Sequence, residues 1–150
     1  MRLQNKRVII TGGSTGIGAA VARRFLAEGA KVAVWCRNPA NAKSIAAELP
    51  DLTVVAAVDV ADAEGVDRAF AQSLERLGGL DVLICNAGIS IRHGFVDIPR
   101  EEFDRVLRVN VHGVFYVSQL AARHMLAQDN GGAILMTASS TGLALLPLII

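Results

Sequence analysis

The chain has 150 residues, 52% of them hydrophobic, 19% charged and 5% aromatic, which suits one packed domain and excludes a disordered segment. Lys+Arg 15 against Asp+Glu 14 leaves a formal net charge of +1, without the clustered positive excess that nucleic acid or an anionic membrane surface selects. No apolar run approaches the roughly 20 residues of a bilayer span, the stretch 143–150 is broken by Pro147, and only Val8, Ile9 and Ile10 follow the first basic residues, so a cytoplasmic protein without a secretory leader is expected.

Short apolar runs at 7–11, 32–36, 52–58, 80–85 and 133–137 read as strands buried on both faces of a parallel sheet. Helical patterns lie between them. Ile17, Val21 and Phe25 recur every fourth residue, with Gly29 to close the helix. A second helix is predicted over 40–49, between Pro39 and Pro50. A third places Val66, Phe70, Leu74 and Leu77 on one face, with Asp62 as N-cap and Gly78 as C-cap. The longest runs from near 99 to about 127, with Phe103, Leu107, Val114, Val117, Ala121 and Met125 as its apolar stripe. Strands alternating with helices at this spacing predict an α/β fold of one domain over 1–150, a doubly wound parallel sheet of the Rossmann type.

The usual strand order of that architecture puts Cys36 and Cys85 on strands flanking the first, about 9 to 10 Å apart and beyond the ~7 Å reach of a disulfide. Packed thiols in a reducing compartment are expected. With His93, His112 and His124 they make no metal-ligand spacing.

Thr11-Gly12-Gly13-Ser14-Thr15-Gly16-Ile17-Gly18 stands between the first strand and the first helix. Gly12 permits a tight turn, Gly16 lets the backbone approach a pyrophosphate, and Gly18 allows close helix–strand packing with the positive helix end toward the phosphates. Ala19 and Ala20 follow where a Walker A loop needs Lys and Ser or Thr. The plain alternative is a glycine-rich turn without a ligand. An NAD site usually carries an acid at the end of the second strand, whereas here the sequence is Trp35-Cys36-Arg37-Asn38. Arg37 suits a 2′-phosphate, which points to NADP and leaves NAD possible; it is otherwise a solvated surface residue.

At this point the chain resembles the short-chain dehydrogenase/reductase family over its whole length. The TGxxxGxG turn matches Thr11, Gly12, Gly16 and Gly18; the aspartate after the third strand matches Asp59, followed by Val60; and the NAG after the fourth matches Asn86-Ala87-Gly88. The resemblance implies that Ser14, Thr15 and Ile17 join the cofactor turn, that Asp59 and the Val60 backbone hold adenine, and that Asn86, Ala87 and Gly88 pass close to the nicotinamide ribose. Asp59 can equally partner the N-terminus of the next helix, and the Asn86 segment can simply end a strand.

Asn110 falls on the predicted apolar stripe, where a buried amide must find partners, either in a structural network or around a water. The resemblance implies that it holds a water in a proton relay. In Ala138-Ser139-Ser140-Thr141-Gly142, Ser139 stands three residues before the glycine and matches the family's catalytic serine, which hydrogen-bonds the substrate's reacting oxygen. The alternative is a pair of hydroxyls capping a loop.

The family's Tyr-x-x-x-Lys has no counterpart here: Tyr116 is followed four positions on by Leu120, and no lysine follows Lys43. These 150 residues are therefore expected to be the front part of a longer chain. The function implied is hydride transfer between a nicotinamide cofactor and a ketone or secondary alcohol, by a homo-oligomer. The competing class is a non-catalytic dinucleotide-binding module or sensor, which needs neither Ser139 nor Asn110. A methyltransferase usually wants an acid after the second strand.

Overall fold

A computed structural model describes residues 1–139. It runs β1 (Arg7–Thr11), α1 (Gly16–Ala27), β2 (Lys31–Cys36), α2 (Pro39–Glu48), β3 (Val54–Ala57), α3 (Ala63–Leu77), β4 (Val82–Cys85), a short 3-10 turn at Phe95–Asp97, α4 (Arg100–Leu107), a π-helical turn at Arg108–Gly113, α5 (Val114–Ala127) and β5 (Ala133–Met136). All strands are parallel, in the order β3-β2-β1-β4-β5. The strand order reverses beside β1, where doubly wound sheets form their binding crevice.

β1 lies at the centre because Val8, Ile9 and Ile10 bury both of its faces completely. Ile9 joins Trp35, Leu83, Val66 and Val117 in the core on one face, and Val8 and Ile10 join Val32, Val34, Ala19 and Ile45 on the other. Period-two alternation thus feeds two cores from one strand. Within the first, the Trp35 indole donates to Ser73 Oγ at 2.9 Å and meets Phe70 edge to face. Cys36 and Cys85, on the strands either side of β1, are buried free thiols.

The edge strands are shorter than the sequence predicts. β3 begins at Val54 because Leu52 is still in the turn that closes α2, its N–H donating to the Leu49 carbonyl. In α1, Ile17 is 70% exposed and does not belong to the core. It occupies the first turn at the open end of the sheet, and the small residues Gly18, Ala19 and Ala22 seat the helix instead.

A larger correction concerns the long helix. Its buried row is Val109, Gly113, Val117, Ala121 and Met125, while Phe103, Leu107 and Asn110 are exposed. The π-helical turn takes up extra backbone per turn and shifts the phase between the two halves, so a stripe drawn with one period crosses faces.

The opposite end of the sheet is closed by a clasp. Arg7 donates from Nε and Nη2 to the two carboxylate oxygens of Asp81, each at 2.8 Å, and its backbone N–H adds a third bond at 2.8 Å. Its Nη1 reaches the Gly78 carbonyl at 2.6 Å, and Asn130 donates to Asp81 at 3.0 Å. The Arg7 side chain, against burial, holds the Asp81 carboxyl down at about 2.

Candidate functional site

At the C-terminal end of the sheet the glycine turn, the turn after β4 and α1 form one packed unit. Thr11 Oγ1, buried at the end of β1, accepts from the backbone N–H groups of Asn86 and Ala87, both at 3.1 Å. Asn86 returns the tie, its side-chain amide donating to the Gly12 carbonyl at 3.1 Å. Gly12 has φ +65°, and a Cβ there would lie 2.8 Å from the Ala87 Cα, so both its backbone and its neighbour require glycine. A Cβ on Gly18 would strike the Gly12 carbonyl and the Asn86 amide. Residues over seventy positions apart therefore fix each other.

These turns border an open cavity of about 270 Å³. Gly12, Ser14 and Thr15 form one side, and Ala87, Gly88 and Ile89 form another. The ends of β2 and β3 supply Arg37 and the pair Asp59 and Val60. Trp35, Cys36, Asn38, Asn41, Val58 and Val109 complete the lining. Eight of the sequence-predicted residues thus meet around one space: Gly12, Ser14, Thr15, Arg37, Asp59, Val60, Ala87 and Gly88. Among the described residues, Gly16, Ile17, Gly18, Asn86, Asn110 and Ser139 stand outside that lining. Gly16 nonetheless has φ +53° at the N-terminus of α1, with open space where a Cβ would be.

Two polar side chains around the cavity are tied locally. Asp59 Oδ1 accepts from the Ala61 N–H at 2.9 Å, fixing the turn into α3, while Asp62 takes the N-cap position without a side-chain cap bond. Asn38 caps α2 by accepting from the Ala40 N–H at 2.8 Å, with Pro39 in the first turn. Burial pushes the Cys36 thiol up, against the opposing pull of Ser14.

Asn110 is exposed and not a core amide, for the reason of phase given above. Its partners are nonetheless definite. Oδ1 accepts from the Ile89 N–H at 2.9 Å and Nδ2 donates to the Ile89 carbonyl at 2.8 Å, so the amide acts on the loop after β4 as a paired strand would. Farther along that loop His93 Nε2 stands 3.4 Å from a Glu102 carboxylate oxygen. Ser139 follows β5, and Ser140, Thr141 and Gly142 of its motif lie outside the described residues, as does the run 143–150. No helix among the described residues is long and apolar enough to cross a membrane.

The lining residues not assigned to the site from sequence are Trp35, Cys36, Asn38, Asn41, Val58, Ile89 and Val109. Asn41 is legible as the residue one turn beyond the Asn38 cap, on the same side of the helix start. Val109 is hidden by the change of helical phase.

With this geometry in place, comparison with known proteins defines the class. The chain matches the short chain dehydrogenase family over residues 6–149 and belongs to it. It is 39% identical over 142 residues to a sorbitol dehydrogenase of Cereibacter sphaeroides, covering 95% of this chain and 56% of that protein. It is 37% identical over 145 residues to an L-rhamnose 1-dehydrogenase (NAD(P)(+)) of Sphingomonas sp. (strain SKA58), covering 94% of this chain and 57% of that one. Among solved structures it superposes on a short-chain dehydrogenase from Burkholderia cenocepacia J2315 in complex with NADP, with TM-score 0.88 and 38% identity over 99% of this chain and 61% of the other. A short-chain type dehydrogenase/reductase from Mycobacterium marinum gives TM-score 0.90 at 39% identity, over 97% of this chain and 60% of the other. The chain thus spans a little over half the length of these relatives.

Proposed function

We propose that the protein is an NAD(P)-dependent oxidoreductase that interconverts a ketone and a secondary alcohol, with NADP(H) preferred. The observation that carries this is one cavity bounded by a glycine turn at a helix N-terminus on one side and by Arg37, with no acid at the end of β2, on the other. The residues fit the cofactor: positive φ at Gly12 and Gly16 opens backbone N–H groups toward phosphates, and Val58, Val60 and Val109 offer apolar walls for an adenine ring beside Asp59. In this reading Arg37, with Ser14 near it, receives the 2′-phosphate, and Asn86, Ala87 and Gly88 approach the nicotinamide ribose. When bound, the cofactor supplies or accepts the hydride. Ser139 hydrogen-bonds the substrate's reacting oxygen, and Asn110 steadies Ile89 and anchors a water for proton transfer. The names of the Sphingomonas and Burkholderia relatives, one NAD(P)(+) and one solved with NADP, support a nicotinamide dinucleotide as the cofactor.

Fluorescence titration of the natural gene product with NADPH and NADH tests the reading. A charge-assisted contact to the 2′-phosphate is worth about 1.5 to 3 kcal/mol, so NADPH is expected to bind roughly 10-fold to 150-fold more tightly. Equal affinities, or tighter NADH binding, would overturn the preference; no binding of either would overturn the function. Ser139→Ala is expected to cost about 100-fold in kcat.

The same protein is proposed to be a homo-oligomer in the cytoplasm. Phe103, Leu107, Val111 and Phe115 follow one another at four-residue spacing, are all exposed, and make an apolar row that a second copy would cover. Light scattering on a Phe115→Asp variant checks this: a drop to monomer is expected, and an unchanged mass argues against the row.

A further inference from the structure

Gly113 ends the π-helical turn with φ −60° and ψ −44°, ordinary helical values that any residue adopts. Glycine weakens a helix interior relative to alanine, so the backbone gives no reason for it. The reason lies across the contact. A Cβ at Gly113 would stand 2.7 Å from Val60 Cγ2, 3.0 Å from Val60 Cβ and 3.0 Å from the Val60 carbonyl oxygen. Val60 is β-branched, hence stiff at χ1, and 7% exposed, and its carbonyl moves only with the backbone. Val60 lines the cavity next to Asp59, and Val109, four residues before Gly113 on the same buried row, lines it too.

We infer that Gly113 is a positioning residue for cofactor binding: its missing side chain lets the helix seat Val60 and Val109 as one wall of the cavity, so the helix outside the site sets the width of the adenosine pocket. This rests on reading the cavity as the seat of the cofactor's adenosine half. An added methyl at Gly113 displaces Val60 toward the cavity and narrows the pocket, leaving the glycine turn and the Asn110–Ile89 pairing in place.

The test is a double-mutant cycle in the natural gene product with Gly113→Ala, Val60→Ala and both together. Calorimetric Kd values for NADPH and for 2′,5′-ADP, which carries the adenosine half without nicotinamide, are read beside a thermal melt. Gly113→Ala is expected to weaken both ligands by the same factor, roughly 10-fold, the size of an overpacked contact. The KM for cofactor rises with it while kcat at saturation holds. In the Val60→Ala background, where the two methyls are gone, the same substitution is expected to cost less than about threefold. Unchanged affinities in a folded Gly113→Ala protein, whatever its melting temperature, would reduce the glycine to packing. A penalty that Val60→Ala does not relieve would show that the effect does not run through the Val60 methyls that wall the cavity, and failure to fold in both backgrounds would make Gly113 a folding requirement; each overturns the inference. Wild-type protein that binds neither ligand overturns the reading of the cavity itself, a separate result.

Discussion

At the N-terminal ends of β1 and β4, Arg7 and Asp81 are joined by three charge-assisted bonds, with Gly78 and Asn130 completing the network. At the C-terminal ends of the same two strands, Thr11 and Asn86 use neutral bonds of 3.1 Å, and glycines replace side chains to leave a cavity. The first end spends its polar groups on each other, which favours stability. The second leaves Arg37 and the glycine turn lining an open cavity, which suits binding rather than stability. Damage at the two ends should therefore separate into loss of stability and loss of binding.

Gly12→Ala is expected to have the largest effect because it fails on both counts. Forcing an L residue to φ +65° costs about 1–2 kcal/mol, and overpacking against the Ala87 Cα adds about 1–3 kcal/mol. Chemical denaturation should register that loss, and cofactor titration should register a further loss of about 100-fold or more in affinity, since the turn itself moves. A variant that is destabilised yet binds normally would break the separation at its strongest point.

Asp81→Ala is the counterpart at the closed end. Removing one partner strands a partly buried guanidinium, for a loss of about 3 kcal/mol, while the affinity of the folded protein for cofactor should stay the same. The pH dependence gives a second reading. The Asp81 carboxyl is held at about 2 in the folded chain, below its unfolded value near 3.9, so the folded state gains from it only where the carboxylate is ionised. That contribution, about 2 kcal/mol, is complete above pH 4 and is lost as pH falls from 4 through 2. Acid unfolding of Asp81→Asn should therefore lack this share of the slope. An unaltered acid transition would mean that the clasp does not report on stability.

The two ends were also unequally legible in the sequence. The glycine turn, Asp59 and Asn86-Ala87-Gly88 could be read because each is a local pattern that directly follows an apolar strand. The buried strands were legible for the same reason. Arg7 and Asp81 carry no such signal: they are 74 positions apart and meet only because β1 and β4 pair in that register. Asn110 stands out in the sequence as a mid-helix amide, but helical periodicity puts it in the core because it assumes one period, which the turn at Arg108–Gly113 changes. The same assumption hid Val109 and put Phe103 and Leu107 in a core they do not join.

Arg37→Ala sharpens the open end alone. Arg37 is exposed and lines the cavity, so its removal should leave the melting temperature within error while NADPH affinity falls by roughly 10-fold to 150-fold and NADH affinity hardly changes. If both cofactors weaken equally, Arg37 supports the loop rather than the 2′-phosphate.

The smallest effect is expected at Ser73 of α3, in the core behind β2. Its hydroxyl accepts from the Trp35 indole at 2.9 Å with both side chains fully buried, and Trp35 both walls the cavity and precedes Cys36 at the end of β2. Ser73→Ala leaves the indole N–H without its acceptor, at a cost of about 1 kcal/mol or slightly more. Trp35 is also wedged edge to face against Phe70 and pinned by strand pairing to Thr11 and Ala56, so the ring has little room to turn. The denaturation midpoint should therefore drop while NADPH affinity changes by less than about twofold. If affinity falls in proportion to stability, the cavity wall depends on the core behind it, and the two ends of the sheet are one cooperative structure rather than two.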